Sequence, residues 1–291
     1  MTATSDAQAK AQVLVEALPY IRAFSGKNIV IKYGGSAMTS PELKRATALD
    51  LILLKYVGIN PVLVHGGGSE ISALMDRLGK KPRFAGGLRI TDPETMEIVE
   101  MVLVGKINKE IVSLINFLGG RAVGLSGKDG NIVVARKRSP APGGVDLGLV
   151  GEVDRINPDL LLKLGKEGYI PVIASVAVGY EGESLNINAD TVAGELAAAL
   201  DAAKLIMLTD VEGIYEDQKA PETLVSALTL ERARRLVAGD RVDGGMIPKL
   251  EACITAVEKG VPRAHIIDGR ALHSLLLEIF TDSGIGTMVV A

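Results

Sequence analysis

Two lysines, each beside a pair of glycines, are the side chains from which a chemistry can be argued. Lys32 follows the run Ile29-Val30-Ile31 and precedes Gly34-Gly35. Three apolar β-branched residues read as a short buried strand, and the glycines as the place where it stops. In open α/β sheets ligands sit outside the carboxyl ends of the strands, so Lys32 faces a crevice in which Gly34 and Gly35 let the backbone approach an anion. A lysine that only reaches solvent at a strand end satisfies the same pattern. Lys249 closes the stretch Gly244-Gly245-Met246-Ile247-Pro248-Lys249, around which a helix carrying Ala252 begins. A lysine in a first helical turn opposes the macrodipole, and an anion held there removes the conflict.

Other strand ends carry polar groups and glycine as well. Val62-Leu63-Val64-His65-Gly66-Gly67-Gly68 repeats the first pattern and runs through Ser69-Glu70 into an apolar-periodic helix. Backbone N–H groups at a helix start favour an anion, although a tight turn with spare glycines has the same spelling. Arg89, in Gly86-Gly87-Leu88-Arg89-Ile90-Thr91-Asp92-Pro93, offers a planar fork to a carboxylate or phosphate, or else braces its loop. Asp190 precedes the helix Thr191 to Leu200 and reads as its N-cap. Capping does not exclude a second task, since Asn186, Asn188 and Asp190 form a polar cluster able to hold a substrate and orient lysines. Strand Lys204 to Thr209 ends in Thr209-Asp210-Val211-Glu212-Gly213-Ile214-Tyr215. The chain has no G-x-x-x-x-G-K-[ST], and the glycines at 66–68 do not extend to G-x-G-x-x-G. A P-loop enzyme and a Rossmann dehydrogenase therefore lose ground.

The elements that must position these residues alternate between strand and helix. Ala7 to Phe24 reads as an amphipathic helix kinked near Pro19, with Leu14, Leu18 and Ile21 on one stripe and Val13, Ala17, Tyr20 and Phe24 on the next. Pro41-Glu42 opens a helix to about Gly58. Asp92 or Thr91 caps a long helix from Pro93 to about Leu118. Arg121 to Leu125 and Ile132 to Val134 read as strands, 136–148 as a hairpin excursion, and Tyr169 to Val178 as one apolar strand. A strand at Ala264 to Ile267, a helix from Ala271 to Phe280, a turn at Ser283 to Gly286 and a strand at Met288 to Val290 finish the chain. The class is α/β.

Composition agrees. The chain has 291 residues, 47% of them hydrophobic, with four Phe, six Tyr and no Trp, as suits a Val/Ile/Leu-rich parallel sheet covered on both faces. A net charge of −3 without a dense basic block argues against a nucleic-acid partner. Arg136, Lys137 and Arg138 read as a solvated strand end. The lone Cys253 reads as a small core residue, and three histidines with one cysteine give no metal-ligand spacing. No stretch is apolar for long enough to span a bilayer, and the N-terminus lacks a secretory pattern, so a soluble cytoplasmic protein is expected.

Lys32-Tyr33-Gly34-Gly35, His65-Gly66-Gly67-Gly68, Gly87-Leu88-Arg89, Asn186-Ile187-Asn188-Ala189-Asp190, Thr209-Asp210-Val211-Glu212-Gly213 and Gly245-Met246-Ile247-Pro248-Lys249 together resemble the amino acid kinase family. They do so in order, at compatible spacing, from about residue 26 to the C-terminus. The resemblance is to the members that phosphorylate the side-chain carboxylate of N-acetyl-L-glutamate in arginine biosynthesis. It implies a three-layer αβα sandwich with a largely parallel central sheet, preceded by an N-terminal helix over 1–25. An N-lobe of about 26–185 would bind acetylglutamate and dimerise, and a C-lobe of about 186–291 would bind nucleotide. By the same resemblance Lys32 and Lys249 neutralise the phosphoryl group and Asp190 orients both. Gly67, Gly68, Arg89 and Asn186 hold acetylglutamate, while Gly34, Gly35, Thr209, Asp210, Gly213 and Tyr215 hold ATP. Mg²⁺ arrives with ATP, and no residue is assigned as its ligand. Arginine-inhibited hexameric members carry a helix ahead of the core. The resemblance extends to them and makes Tyr20, His265, Glu278 and Gly286 candidates for an L-arginine site. Aspartokinase-like or carbamate-kinase-like enzymes, and a non-catalytic nucleotide- or arginine-binding regulator, are the competing readings.

Overall fold

The computed structural model of the chain describes residues 3–38, 40–141, 143–216, 223–239, 242, 244–281 and 284–291. Helix α1 (Ala3–Phe24) runs through Pro19 as a single helix. Strand β1 (Asn28–Tyr33) is buried at every position after its first, as an interior parallel strand must be. Helix α2 (Pro41–Tyr56) starts with Ser40 accepting from the Glu42 and Leu43 N–H groups and with Pro41 at its first position. There follow β2 (Asn60–His65), α3 (Gly68–Arg77), a ribbon of the two-residue strands β3 (Phe84–Ala85) and β4 (Leu88–Arg89), and α4 (Pro93–Glu100). Asp92, not Thr91, caps α4, accepting from Thr95 N–H at 2.7 Å.

The long helix expected to Leu118 is interrupted. Residues Met101–Ile107 form a π-helical segment, in which the Asn108 N–H reaches back five residues to Leu103, before α5 (Asn108–Phe117) resumes. The second correction concerns Tyr169 to Val178, which is two strands. After β5 (Ala122–Ser126), β6 (Val133–Lys137), β7 (Gly151–Ile156) and α6 (Asp159–Lys166), strand β8 (Ile170–Ala174) lies in the main sheet. Strand β9 (Val176–Val178) lies in another sheet, and buried Ser175 makes the switch. An unbroken apolar run does not reveal such a break, because both strands are buried.

Next come β10 (Ser184–Asn186), α7 (Ala189–Ala199), β11 (Lys204–Thr209), β12 (Ala227–Thr229), α8 (Leu230–Ala238), α9 (Ile247–Glu258), β13 (Ala264–Asp268), α10 (Ser274–Ile279) and β14 (Thr287–Val290). Helix α10 is shorter than expected at its start, because His273 adopts φ +58°, a left-handed conformation that ends the preceding turn. Ser283, expected in the turn before β14, lies outside the described residues.

The main sheet has the order β12-β14-β13-β11-β1-β2-β8-β5, parallel throughout except for β13 against β14. Side-chain alternation along β1 sends Ile29 and Ile31 to one face and Val30 to the other. The first face packs on Leu51 and Leu54 of α2 and Ile115 of α5. The second packs on Val192 and Leu196 of α7 and Leu250 and Cys253 of α9. Three layers result. A second sheet, β10-β9-β6-β7, stands apart from the first. Strand β1 sits between β2 and β11, where the chain order reverses, so its carboxyl end opens on the topological switch point.

Candidate active site

Strand β1 delivers Lys32 to that switch point, 8% exposed. Helix α7 delivers Asp190, in a way the sequence reading did not anticipate. Asn188 is the N-cap: its side chain accepts from the N–H groups of Asp190 at 2.7 Å and Thr191 at 3.4 Å. Asp190, expected as the cap, is the second helical residue, where the macrodipole favours a carboxylate that capping does not occupy. That carboxylate joins the two lysines. Lys32 Nζ lies 2.9 Å from Oδ1, and Lys249 Nζ lies 3.6 Å from Oδ2 and donates to the Gly245 carbonyl at 3.0 Å. The close approach of α7 and α9 makes this possible. A Cβ at Gly194 would lie 2.7 Å from the Ala252 carbonyl oxygen, so a glycine there lets the two helices pack this closely.

Two cavities open on either side of the bridge. One, of about 280 Å³, is lined by Lys32, Gly34, Gly35, Gly66 to Gly68, Arg89 and Asn186. The other, of about 460 Å³, is lined by Thr209, Asp210, Gly213, Tyr215, Gly245 and Lys249. Lys32 thus faces the first cavity and Lys249 the second. The structure brings the expected substrate residues together, and the expected nucleotide residues together, with one difference. Gly34 and Gly35 stand in the first cavity beside Lys32, not in the second with Thr209.

In the first cavity, Arg89 donates from Nη2 to the Gly68 carbonyl and to Ser72 Oγ, both at 2.8 Å, and its guanidinium lies 4.8 Å from the centre of the Phe84 ring. Among the described residues it has no carboxylate partner, and burial pushes its pKa down. A buried guanidinium among neutral groups is a ready site for a ligand carboxylate. Asn186 Nδ2 donates to Thr91 Oγ1 at 3.2 Å, which ties the second sheet to the start of α4. Gly67 has no space for a side chain: a Cβ there would lie 2.2 Å from Ile107 Cδ1 and 2.9 Å from Leu103 Cδ2. Gly67→Ala is expected to cost about 1–3 kcal/mol through overpacking and to lower turnover by displacing the loop. Thermal melting and kcat on one preparation check both. In the second cavity, Thr209 Oγ1 donates to Asp210 Oδ1 at 3.1 Å, and the Tyr215 hydroxyl to Glu212 Oε2 at 2.5 Å.

The candidate arginine residues divide. His265 Nδ1 lies 2.7 Å from Glu278 Oε1, which also takes Lys204 Nζ at 3.1 Å, and all three are buried. Burial raises the Glu278 carboxyl, but the His265 hydrogen bond and nearby Lys204 more than offset it and hold it below its usual range. Gly286 packs against Ile266, next to His265. Tyr20 is half-buried, one helical turn before Phe24, whose ring centre lies 5.4 Å from Lys204 Nζ. Lys204 was missed because a lysine at the first position of a strand reads as a solvated end.

A profile described as the amino acid kinase family matches residues 27–268. Proteins named acetylglutamate kinase are similar at high identity. The one from Pelotomaculum thermopropionicum is 60% identical over 287 residues, covering 96% of this chain and 97% of the relative. The one from Thermoanaerobacter pseudethanolicus is 58% identical over 284 residues, covering 98% and 94%. Among solved structures, N-acetylglutamate synthase from Neisseria gonorrhoeae, complexed with coenzyme A and N-acetyl-glutamate, is similar with TM-score 0.84 and 27% identity. The match covers 97% of this chain but only 63% of the synthase chain. Carbamate kinase from Giardia shares the fold, with TM-score 0.63 at 18% identity over 91% of this chain and 99% of that one. The chain belongs to the amino acid kinase family.

Proposed function

We propose that the chain transfers the γ-phosphoryl group of ATP to the side-chain carboxylate of N-acetyl-L-glutamate, a step in arginine biosynthesis. The observation that carries this reading is the single carboxylate, Asp190, holding one lysine toward each of two adjoining cavities. A carboxylate oxygen of the acceptor attacks the γ-phosphorus, the bond to the β–γ bridging oxygen breaks, and ADP leaves with that oxygen. The products are ADP and an acyl phosphate. Two anions must meet in this reaction, so the protein's task is to neutralise and align them rather than to supply a nucleophile. Lys32 meets the incoming phosphoryl oxygens from the acceptor side and Lys249 from the nucleotide side. Arg89 grips a carboxylate of acetylglutamate, with Asn186, Gly67 and Gly68 lining its site. The residues from Thr209 to Tyr215 hold the nucleotide, and Gly34 and Gly35 lie along the path of the transferred group.

Among the described residues no three His, Cys, Asp or Glu side chains gather into a metal site. On this reading Mg²⁺ comes with the ATP phosphates and keeps several waters. That ion would supply charge neutralisation on the phosphates when bound. Release of ADP from MgATP with acetylglutamate, set against aspartate, glutamate and carbamate, tests the reading. Turnover with acetylglutamate alone supports it, turnover with another acceptor moves the substrate within the family, and nucleotide binding without ADP release makes the chain a regulator.

The same reading places an N-lobe over about 26–185 for acetylglutamate and dimerisation, and a nucleotide lobe over about 186–291, in a cytoplasmic enzyme. It extends to α1. Val13, Leu14 and Leu18 are 64%, 74% and 52% exposed, an apolar stripe that one chain leaves uncovered. Such a stripe is suited to interlacing with a second copy and joining dimers into a hexamer, with L-arginine bound where α1 meets the Lys204, His265 and Glu278 cluster. A chain beginning at Ser25 is expected to fall to the dimer and to lose arginine inhibition, while acetylglutamate turnover persists. Light scattering and inhibition curves decide, and a truncated chain that stays hexameric and arginine-sensitive overturns the role of α1. Among the described residues no helix is long and apolar enough to cross a membrane.

A further inference from the structure

His65 stands at the head of the glycine loop with no part in the reaction as written above. Its ring is fully buried at the end of β2, and burial pushes its pKa down to about 4, so the imidazole is neutral and carries one ring N–H. Nδ1 lies 3.0 Å from the Gly66 carbonyl oxygen. That oxygen can only accept, so the proton is on Nδ1 and Nε2 is the acceptor. Nε2 is met by Asn108 Nδ2 at 3.1 Å. The Asn108 amide has no liberty to flip. The same Nδ2 lies 2.9 Å from the Val172 carbonyl oxygen in β8 and 3.3 Å from that of Leu125 in β5, while Oδ1 accepts from Lys109 Nζ at 3.1 Å. Two strands of the main sheet thereby set the asparagine, the asparagine sets the histidine tautomer, and the histidine sets one carbonyl.

That carbonyl belongs to the peptide that supplies the Gly67 N–H. A trans peptide is planar, with C=O and N–H pointing in opposite directions, and the described chain has no cis bond. Turning the Gly66 carbonyl onto the buried ring turns the Gly67 N–H away from that ring, and Gly66, Gly67 and Gly68 all line the first cavity. Ile107 and Leu103 press on the same glycine, and the π segment's bond from Asn108 N–H to the Leu103 carbonyl places all three residues of the long helix at this loop.

We propose that His65 and Asn108 are positioning residues for phosphoryl transfer: through the Gly66 carbonyl they aim the Gly67 N–H at an oxygen on which charge gathers as the phosphoryl group crosses. The proposal rests on the phosphoryl-transfer reading and adds to the loop that lines the acetylglutamate site, beside Lys32, a role toward the reacting group. Neither side chain touches substrate, so the effect falls on kcat far more than on binding.

The test compares His65→Leu, His65→Asn and Asn108→Leu with Lys32→Ala in the full chain, assayed for ADP release well below each variant's melting temperature. Asparagine places Nδ2 where the imidazole Nδ1 stands and so keeps the donor to Gly66. The expected result is a fall in kcat of about 10- to 10²-fold for His65→Leu and Asn108→Leu. KM for ATP stays unchanged, KM for acetylglutamate moves far less than kcat, and His65→Asn recovers most of the loss. Near-normal kcat in His65→Leu, an equal loss in His65→Asn, or a loss confined to KM overturns the proposal. Should His65→Leu fail to fold, the pair His65→Asn and Asn108→Leu decides by the same contrast. If Lys32→Ala is slow while the His65 and Asn108 variants are normal, positioning alone falls. If Lys32→Ala is normal, the phosphoryl-transfer reading falls with it.

Discussion

Lys32→Ala and Lys249→Ala are each expected to lower kcat by about 10²- to 10³-fold, the range seen when one preorganised donor to a developing oxyanion is removed. The two differ in what else they lose. Lys249 lines the cavity proposed for the nucleotide, so its loss should also raise KM for ATP; Lys32 lines the cavity proposed for the acceptor and should leave that KM near normal. Both variants fold, because Asp190 keeps the other lysine and the start of α7 as counter-charges. Steady-state kinetics with each substrate varied in turn checks this, and near-normal kcat in both variants would remove the lysines from the mechanism.

Glu278→Ala has the largest expected effect on stability. The change strips a buried carboxylate, the one that pairs with Lys204 among the described residues, and leaves the Lys204 ammonium under the Phe24 ring with the Glu278 backbone carbonyl for company. Breaking a buried pair on one side costs about 3–5 kcal/mol, so the melting temperature should fall on the order of 10 °C. Replacing both partners with apolar residues, as in Lys204→Met with Glu278→Leu, should restore much of that loss, because no charge is then left stranded. Arginine inhibition, on the reading proposed above, does not return with the stability. Melting curves and arginine titrations of the single and double variants separate the two effects. A double variant as unstable as Glu278→Ala would show that the cluster's value lies in shape and not in charge.

The main sheet was legible because its strands are short, β-branched and closed by glycine, a pattern that only an interior parallel sheet requires over and over. Corners of the candidate site were legible for the same reason: Lys32 and Thr209 close strands, Gly66 to Gly68 follow one, and Asp190 opens a helix. What the spacing hid is side-chain partnership across the chain. Asp190 looked like a cap because a carboxylate two residues into a helix and one just before it are spelled almost alike, and only the Asn188 geometry separates them. Asn108 was not singled out within the long helix, since a π turn leaves no mark on apolar periodicity that distinguishes it from a regular helix. Lys204 and Glu278 are 74 residues apart and meet only after β11 and α10 are packed. The second sheet was missed because a change of sheet at Ser175 costs the sequence no apolar residue.

On the reading proposed above, the residues that hold the acceptor are mounted differently from those that move the phosphoryl group. Arg89 stands on the two-residue ribbon and Asn186 on the last strand of the small sheet, both outside the main sheet; Lys32, Asp190 and Lys249 stand on the main sheet and the two helices packed against it. A change of length or sequence in 84–92 or 176–188 can therefore reshape the anion grip while the charge bridge keeps its geometry. The architecture is modular in the sense that matters for descent: acceptor choice can drift on peripheral pieces, and the machinery of transfer need not be reinvented each time.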